Sequence, residues 1–525
     1  MKKLRVEELS VEQKIGQLLV ARSIADKKDY DFAMGLIRDN ALGGVQANPS
    51  ADVRRTVIDP VLNCADYPIF IAADMERGFQ LGDLQISGNL SLGVLNDTQA
   101  VYDFARITAT QAKQWGYNMI WSPVVDMIPS DSPLRTLRSF GADKELVARM
   151  CCAYVRAFSD CGIVGSVKHF PSEYDMMKDT HMEQAISHHT KEELLNECLY
   201  PYRKAIEELG PDMMGIMTTH VLLANIDPVD MVTVSRPCVD LMREIGFDGL
   251  IITDSLAMVG IIQRYGDEYL PGMSVAAGHD LVLPNYRIPL KDAYNSLMNS
   301  YKNGVFDEQR LDEACKRVLR AQERTLKQPA QREITQHDRE VIDHINRDCI
   351  CALADPGVST SISKTANHLF VVLKSNQYDE LDAKINPEIG FQKVWKPEWV
   401  AQQFLNEFPN SDVMFTCEFP HAQQNEKVCA AAAYHDDVVF VTFCDPAPYQ
   451  GIDGLSERIR YLIQSMQYNV AAVVHVGNPF ALENVVHIPR RIIGFPHQTC
   501  IENLPKVLSG EVEAKGVLPM NVNFQ

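Results

Sequence analysis

Along residues 1–290, short apolar runs alternate with longer segments of helical period. The runs are QLLVAR (17–22), GGVQAN (43–48), PIFIAAD (68–74), NMIWSPVVD (118–126), GSVKHF (165–170), GIMTTHV (215–221), GLIITDSL (249–256) and DLVLPN (280–285). Continuous apolar runs of this length suit strands buried on both faces, as in a parallel sheet. Between them, 97–116, 144–162 and 191–210 carry the spacing of amphipathic helices, and several such segments end in Gly, which suits a helix C-cap. Strands alternating with helices predict βα units, and eight of them predict a (β/α)8 TIM barrel, whose usual size is about 250 residues. The helical segment 310–327 closes this first domain, 1–328. A polar, Pro-containing stretch without an apolar period predicts a linker over 329–340. A second alternating series follows, with strand candidates at 368–374, 412–419, 437–444, 470–477 and 491–496. It predicts a C-terminal three-layer α/β domain over 341–525.

The ends of the apolar runs carry the chemistry. Barrel enzymes place their active-site residues at the carboxyl ends of the strands. Here those ends read Asp74, Asp126, Lys168-His169, His220, Asp254 and Asn285. Any strand turns polar on reaching solvent, so one such ending says little. Six of them, bearing acids, His and Lys, converge on one barrel mouth. Asp254, in IITDSLAM, is placed to be a nucleophile or electrostatic stabiliser, or else the N-cap of the next helix. Asp179 and His181 are one residue apart, so an extended loop puts both side chains on one side. The carboxylate then accepts a hydrogen bond from one ring nitrogen. Such a pair suits general acid–base work, because an ordinary His titrates near pH ~6.5. The competing reading is an incidental Asp-x-His on a surface loop. His188-His189 reads as solvated, His220 as a buried strand-end histidine, and Arg138 as a substrate clamp or a surface cation. The spacing of Asp179, His181, His188 and His189 matches no standard metal site, and no Walker loop or complete GxGxxG appears.

Composition narrows the field. A chain of 525 residues is too long for one ordinary core. A net charge of −19 excludes the basic face that a nucleic-acid or anionic-membrane partner needs. The N-terminal stretch has two lysines but no apolar run before Glu7 and Glu8, so no export signal is expected. No apolar stretch is long enough for a transmembrane helix. The 13 scattered cysteines, without a CxxC pair, fit reduced thiols and a cytoplasmic location.

Taken together, these segments resemble glycoside hydrolase family 3, and within it the β-N-acetylglucosaminidase branch. DMERGFQ at Asp74 resembles that family's D-x-E-G-G-x-V-Q segment, WSPVVDM at Trp121 its A-P-V-x-D strand, and RSFGAD at Arg138 its R-S-F-G motif. KHFP followed by DTH at Asp179 resembles K-H-F-P-G-H-G…D-[ST]-H. ITDSLAM at Ile252 resembles the nucleophile strand, S-D-[DS]-L-x-M, and AAGHDLVLPN at Ala276 the A-G-x-D-x-x-L segment. The motifs stand in the family's order between residue 10 and about 325; AVVHVGNPFAL (472–482) and GVLPMNV (516–522) extend a weaker likeness into the second domain.

The resemblance implies a retaining glycosidase that removes terminal β-linked N-acetylhexosamine from an oligosaccharide, with no cofactor and no metal. It implies Asp254 as nucleophile, His181 as acid/base with Asp179 as its dyad partner, and Asp74, Arg138, Lys168 and His169 as binders of sugar hydroxyls. The chain departs from the family at three places: Arg77-Gly78 replaces the paired glycines, Gly82 replaces an arginine, and Ser172-Glu173-Tyr174 replaces G-H-G. Arg77 or Arg135 is a candidate to supply the missing cation. Three alternatives follow: a phosphorylase, a β-glucosidase or β-xylosidase, and a non-catalytic sugar-binding barrel. The natural glycan, the role of the second domain and the oligomeric state are not written in the sequence.

Overall fold

The computed structural model describes residues 1–22, 27–128, 133–172, 178–328, 333–374, 396–445, 454–483, 485 and 488–524. Glu173, Tyr174 and linker residues 329–332 lie outside the described residues, as does the side chain of Arg135.

The chain packs as two units. The first comprises Met1–Gln85, Thr98–Met127 and Asp143–Arg339; the second comprises Ile86–Asp97, Ile128–Ala142 and Glu340–Gln525. A single cut in the linker does not describe this division, because two stretches of the first half pack into the second unit's core through Leu90, Val94, Ile128 and Leu137. Backbone bonds hold them there: Ala142 N–H donates to Pro519 O at 2.9 Å, and Val517 N–H to Val94 O at 3.4 Å.

The strands of the first unit are β1 (Val20–Ala21), β2 (Gly44–Gln46), β3 (Phe70–Ala73), β4 (Met119–Ile120), β5 (Val164–Phe170), β6 (Ala185–Ser187), β7 (Gly215–Thr218), β8 (Val221–Leu223) and β9 (Leu250–Thr253). Seven of them form one sheet in the order β1-β2-β3-β4-β5-β7-β9. Every pairing in it is parallel. Leu281 bridges Ile252 beside β9, and Val282 bridges Leu19 beside β1, so DLVLPN touches both edges of the curled sheet. β3, β5, β7 and β9 are buried at every position, which is why their sequences read as unbroken apolar runs. β6 and β8 pair separately.

Between strands, helices begin where the sequence offers caps. Asp143 accepts the Leu146 N–H at the start of Lys144–Asp160, and Asp307 accepts the Arg310 N–H at the start of Glu308–Arg324. The expected helix over 191–210 is interrupted instead. A π turn runs over Leu194–Cys198, and the α-helix restarts at Tyr200–Leu209 with Pro201 in its first turn. Proline has no N–H to donate backward, and its ring clashes with a preceding turn.

The second unit holds a sheet ordered β10-β15-β14-β13-β11-β12. Its strands are β10 (Cys351–Ala354), β11 (His368–Lys374), β12 (Asp412–Cys417), β13 (Asp437–Cys444), β14 (Val470–Gly477) and β15 (Arg490–Gly494). β10 is antiparallel to β15 and the rest are parallel. The five strands read from sequence are all present, while β10 is an additional, half-exposed edge strand. Helices Pro397–Glu407, Ala422–Ala432, Glu457–Ser465 and Gln498–Ser509 accompany the sheet. The thirteen cysteines are free thiols. Among the described residues no helix is long and apolar enough to cross a membrane.

Three buried histidines tie folding to pH. Burial pushes His279, His475 and His497 down to about 4, from an ordinary 6.5. The unfolded chain therefore takes up protons that the folded chain refuses as pH falls through this window. Stability is fully present above pH 6.5 and is lost as pH falls toward about 4. Thermal unfolding followed from pH 7.5 to 4 should show a plateau and then a decline. His475→Gln, measured in parallel, should flatten part of that slope.

Candidate active site

Functional side chains gather over the carboxyl ends of β3, β4, β5, β7 and β9. Asp254 follows β9 directly. Its backbone N–H donates to Thr218 O at 3.2 Å, and its Oδ1 accepts the Ser255 N–H at 2.6 Å. The side chain keeps 20% exposure, enough to meet a ligand while mostly removed from water. Burial alone would raise its pKa. The imidazoles of His169, His220 and His181 and the Ser255 N–H outweigh burial, so the carboxyl is held well below the usual carboxylate range.

Lys168 and His169 are consecutive residues of a strand, whose side chains ordinarily point to opposite faces. Both nonetheless serve the same end of the sheet. The ladder with β7 shifts register here: Lys168 pairs with Met217 and Phe170 with Thr218, so His169 is bulged out. The buried Lys168 ammonium donates to Asp74 Oδ1 at 2.7 Å and lies 2.8 Å from Glu76 Oε1. His169 Nδ1–H donates to Asp126 Oδ2 at 2.7 Å, and Asp126 Oδ1 accepts the His169 backbone N–H at 3.2 Å. The other ring nitrogen, Nε2, lies 4.0 Å from Asp254 Oδ2.

The Asp179–His181 pair has the geometry that its spacing suggested. Asp179 Oδ1 accepts the His181 Nδ1–H at 2.8 Å and the His181 backbone N–H at 3.0 Å. The loop is docked against the segment that follows Asp254. His181 O accepts the Val259 N–H at 3.1 Å. Gly260 permits the approach: a Cβ there would sit 2.6 Å from Glu183 O and 2.7 Å from Thr180 O. His220 is fully buried between Thr233 Oγ1, 2.7 Å from Nδ1, and Ser255 O, 2.9 Å from Nε2. Burial lowers its pKa, and its two bonds brace the Asp254–Ser255 turn. Arg22 donates to Ser255 Oγ from the opposite side.

Sequence reasoning therefore placed Asp74, Lys168, His169, Asp179, His181 and Asp254 in the unit where these bonds and charge couplings link them. Arg138 lies in Ile128–Ala142, which packs with the second unit, where its carbonyl accepts from Asn89 Nδ2 at 2.9 Å. Asn285 donates to Asp267, and His188 is exposed. Glu76, Asp126, Ser255 and Arg22 were not singled out as site residues. Asp126 was visible as a polar strand end, and Glu76 as the acid two residues after Asp74. Among the described residues no group is placed to hold a metal ion.

A parallel sheet carrying a carboxylate–imidazole centre at its carboxyl edge defines an α/β protein with acid–base chemistry at one end of its sheet. Residues 10–321 match the glycosyl hydrolase family 3 N terminal domain, and the chain belongs to that family. A beta-N-acetylglucosaminidase/beta-glucosidase of Cellulomonas fimi is 28% identical over 330 residues, covering 59% of this chain and 57% of that protein. The chain spans 40% to 64% of the length of the first curated relatives it matches. Among solved structures, a glycoside hydrolase family 3 beta-N-acetylglucosaminidase from Paenibacillus sp. str. FPU-7 superposes with TM-score 0.81 at 24% identity, over 98% of this chain and all of that one. A beta-glucoside phosphorylase, BglX, follows with TM-score 0.80 at 19% identity, over 98% and 94%. These likenesses establish the fold over nearly the whole chain.

One departure from the family has a visible cost. Ser172, where the family carries glycine, has φ +136°, a conformation that a side chain disfavours. Ser172→Gly should stabilise the protein by about 1 kcal/mol, the strain removed exceeding glycine's extra unfolded-state entropy. Ser172→Ala, which keeps a Cβ, should bring no such gain in denaturant unfolding.

Proposed function

We propose that the chain is a retaining β-N-acetylhexosaminidase, with Asp254 as nucleophile and the Asp179–His181 dyad as acid/base. The observation that carries this is the pairing of an ionised, mostly buried Asp254 with a His–Asp dyad docked through Val259 and Gly260 onto the nucleophile's own segment. On this reading the curled sheet is a closed (β/α)8 TIM barrel, with DLVLPN as its eighth strand, followed by a three-layer C-terminal α/β domain.

In the first step, Asp254 Oδ2 bonds to the anomeric carbon while the bond to the leaving oxygen breaks. His181 Nε2 gives its proton to that oxygen, and Asp179 holds Nδ1 so that the ring faces the bond being broken. A glycosyl ester on Asp254 results. In the second step His181 takes a proton from water, the water oxygen bonds to the anomeric carbon, and Asp254 leaves as carboxylate. Two inversions at one carbon give overall retention. Lys168, Asp74, Glu76 and His169 grip hydroxyls of the sugar, and Arg138 is proposed as a further contact. The similarity to beta-N-acetylglucosaminidases supports the choice of sugar.

The test is release of p-nitrophenol from the N-acetyl-β-glucosaminide set beside the β-glucoside. A clear preference for the acetamido sugar is expected. Asp254→Asn should abolish turnover, and His181→Ala should slow both steps; full activity in either variant overturns the assignment. Gly260→Ala separates positioning from mere stability. The added methyl displaces the dyad loop, so turnover of the p-nitrophenyl substrate should fall at least about tenfold. A 2,4-dinitrophenyl substrate, whose leaving group needs no proton, should lose far less in its first step.

A second reading rests on the same dyad. A neutral imidazole repels phosphate less than a carboxylate would, so phosphate can replace water in the second step, and the fold of a beta-glucoside phosphorylase is similar. Formation of the sugar 1-phosphate in phosphate buffer, at a rate above hydrolysis, would select it.

A further inference from the structure

The second unit has a cleft of its own. It is an open cleft of about 510 Å3 between the first turns of Ala422–Ala432 and Glu457–Ser465, the helices that follow β12 and β13. That lies within the range of small-molecule sites, about 300–1,000 Å3. Its walls are tied together. Ser456 donates its N–H to Glu418 Oε1 at 2.8 Å and its hydroxyl to Glu418 O. Arg458 Nη1 reaches Pro420 O at 3.5 Å. At the far ends of the two helices, Cys429 Sγ and Ser465 Oγ are 3.8 Å apart.

The lining combines one aromatic ring with several polar side chains. Tyr461 contributes a ring that is 68% exposed, and around it stand His421, Asn425, Glu457 and Arg458. One aromatic face beside planar donors and acceptors is what a pyranose needs: its C–H face lies on the ring while its hydroxyls and acetamido group pair with the polar groups.

An anion fits less well. The helix starts have their own caps, His421 on the backbone of Gln424 and Ser456 Oγ on Ile459 N–H. The Glu457 carboxylate lines the same space and repels negative charge.

We infer that this cleft is a second carbohydrate site, taking one or two units of a neutral N-acetylhexosamine oligomer by stacking on Tyr461. Such a site would retain a longer chain between successive removals of its terminal unit. The choice of sugar rests on the activity proposed above; the cleft and its chemistry do not.

The test uses the full chain carrying Asp254→Asn, titrated with N,N′,N″-triacetylchitotriose and followed by calorimetry and saturation-transfer NMR. Two binding sites are expected. Adding Tyr461→Ala should weaken one of them at least about tenfold, or about 1.4 kcal/mol, and Tyr461→Phe should preserve it. In the otherwise native chain Tyr461→Ala should leave p-nitrophenyl N-acetyl-β-glucosaminide turnover unchanged. A single site insensitive to Tyr461→Ala overturns the inference, as does inorganic phosphate displacing the sugar from the Tyr461-dependent site. Absence of turnover in the native chain would remove the proposed activity, yet the Tyr461-dependent binding is scored separately and stands or falls by itself.

Discussion

Taking a carboxylate largely out of water costs several kcal/mol unless fixed dipoles and opposite charges replace its hydration. Asp254 is such a group, and much of the first unit's carboxyl edge can be traced to that requirement. His169 approaches from β5, His181 from the loop that precedes β6, and the Ser255 N–H from the next residue. Each of those groups is itself held. Asp126 orients His169, Asp179 orients His181, and His220 with Arg22 fixes the Ser255 turn. Removing one partner would leave a buried acceptor or ring without its orientation, so the cluster acts as a unit rather than as separate contacts.

The backbone shows the same dependence. A regular β5 would turn either Lys168 or His169 away from the carboxyl-edge cluster. The bulge at His169 lets one strand end supply both a cation for Asp74 and Glu76 and an imidazole for Asp126 and Asp254. Glycine at 260 plays the corresponding part on the other side. Without a Cβ, the helix after Asp254 closes to hydrogen-bonding distance of the loop that carries His181. The approach of the His181 loop to the Asp254 segment is thus set by backbone packing and not by a flexible side chain.

The sequence made the strands and their ends legible for one physical reason. A strand buried on both faces has no polar alternation, so its last polar residue marks the edge of the sheet. Asp74, Asp126, Lys168, His169, His220 and Asp254 all follow that rule. β10 does not, because a short Ala- and Leu-containing edge strand with exposed positions carries no such contrast. The membership of 86–97 and 128–142 in the second unit depends on packing against residues more than two hundred positions away. No local pattern encodes that. Arg22 was likewise unreadable as a site residue, since its role arises from which strand ends the sheet brings together.

One departure from the family pattern, Gly82, is closely packed. At Gly82 the absent arginine has not left a void. A Cβ there would lie 2.5 Å from Gln111 Nε2, so a neutral amide packs where a longer side chain would start. Counted over Lys168, Asp74 and Glu76 alone, one cation meets two carboxylates, a balance of −1. A carboxylate-rich rim favours hydroxyl and amide donors and repels anionic substituents.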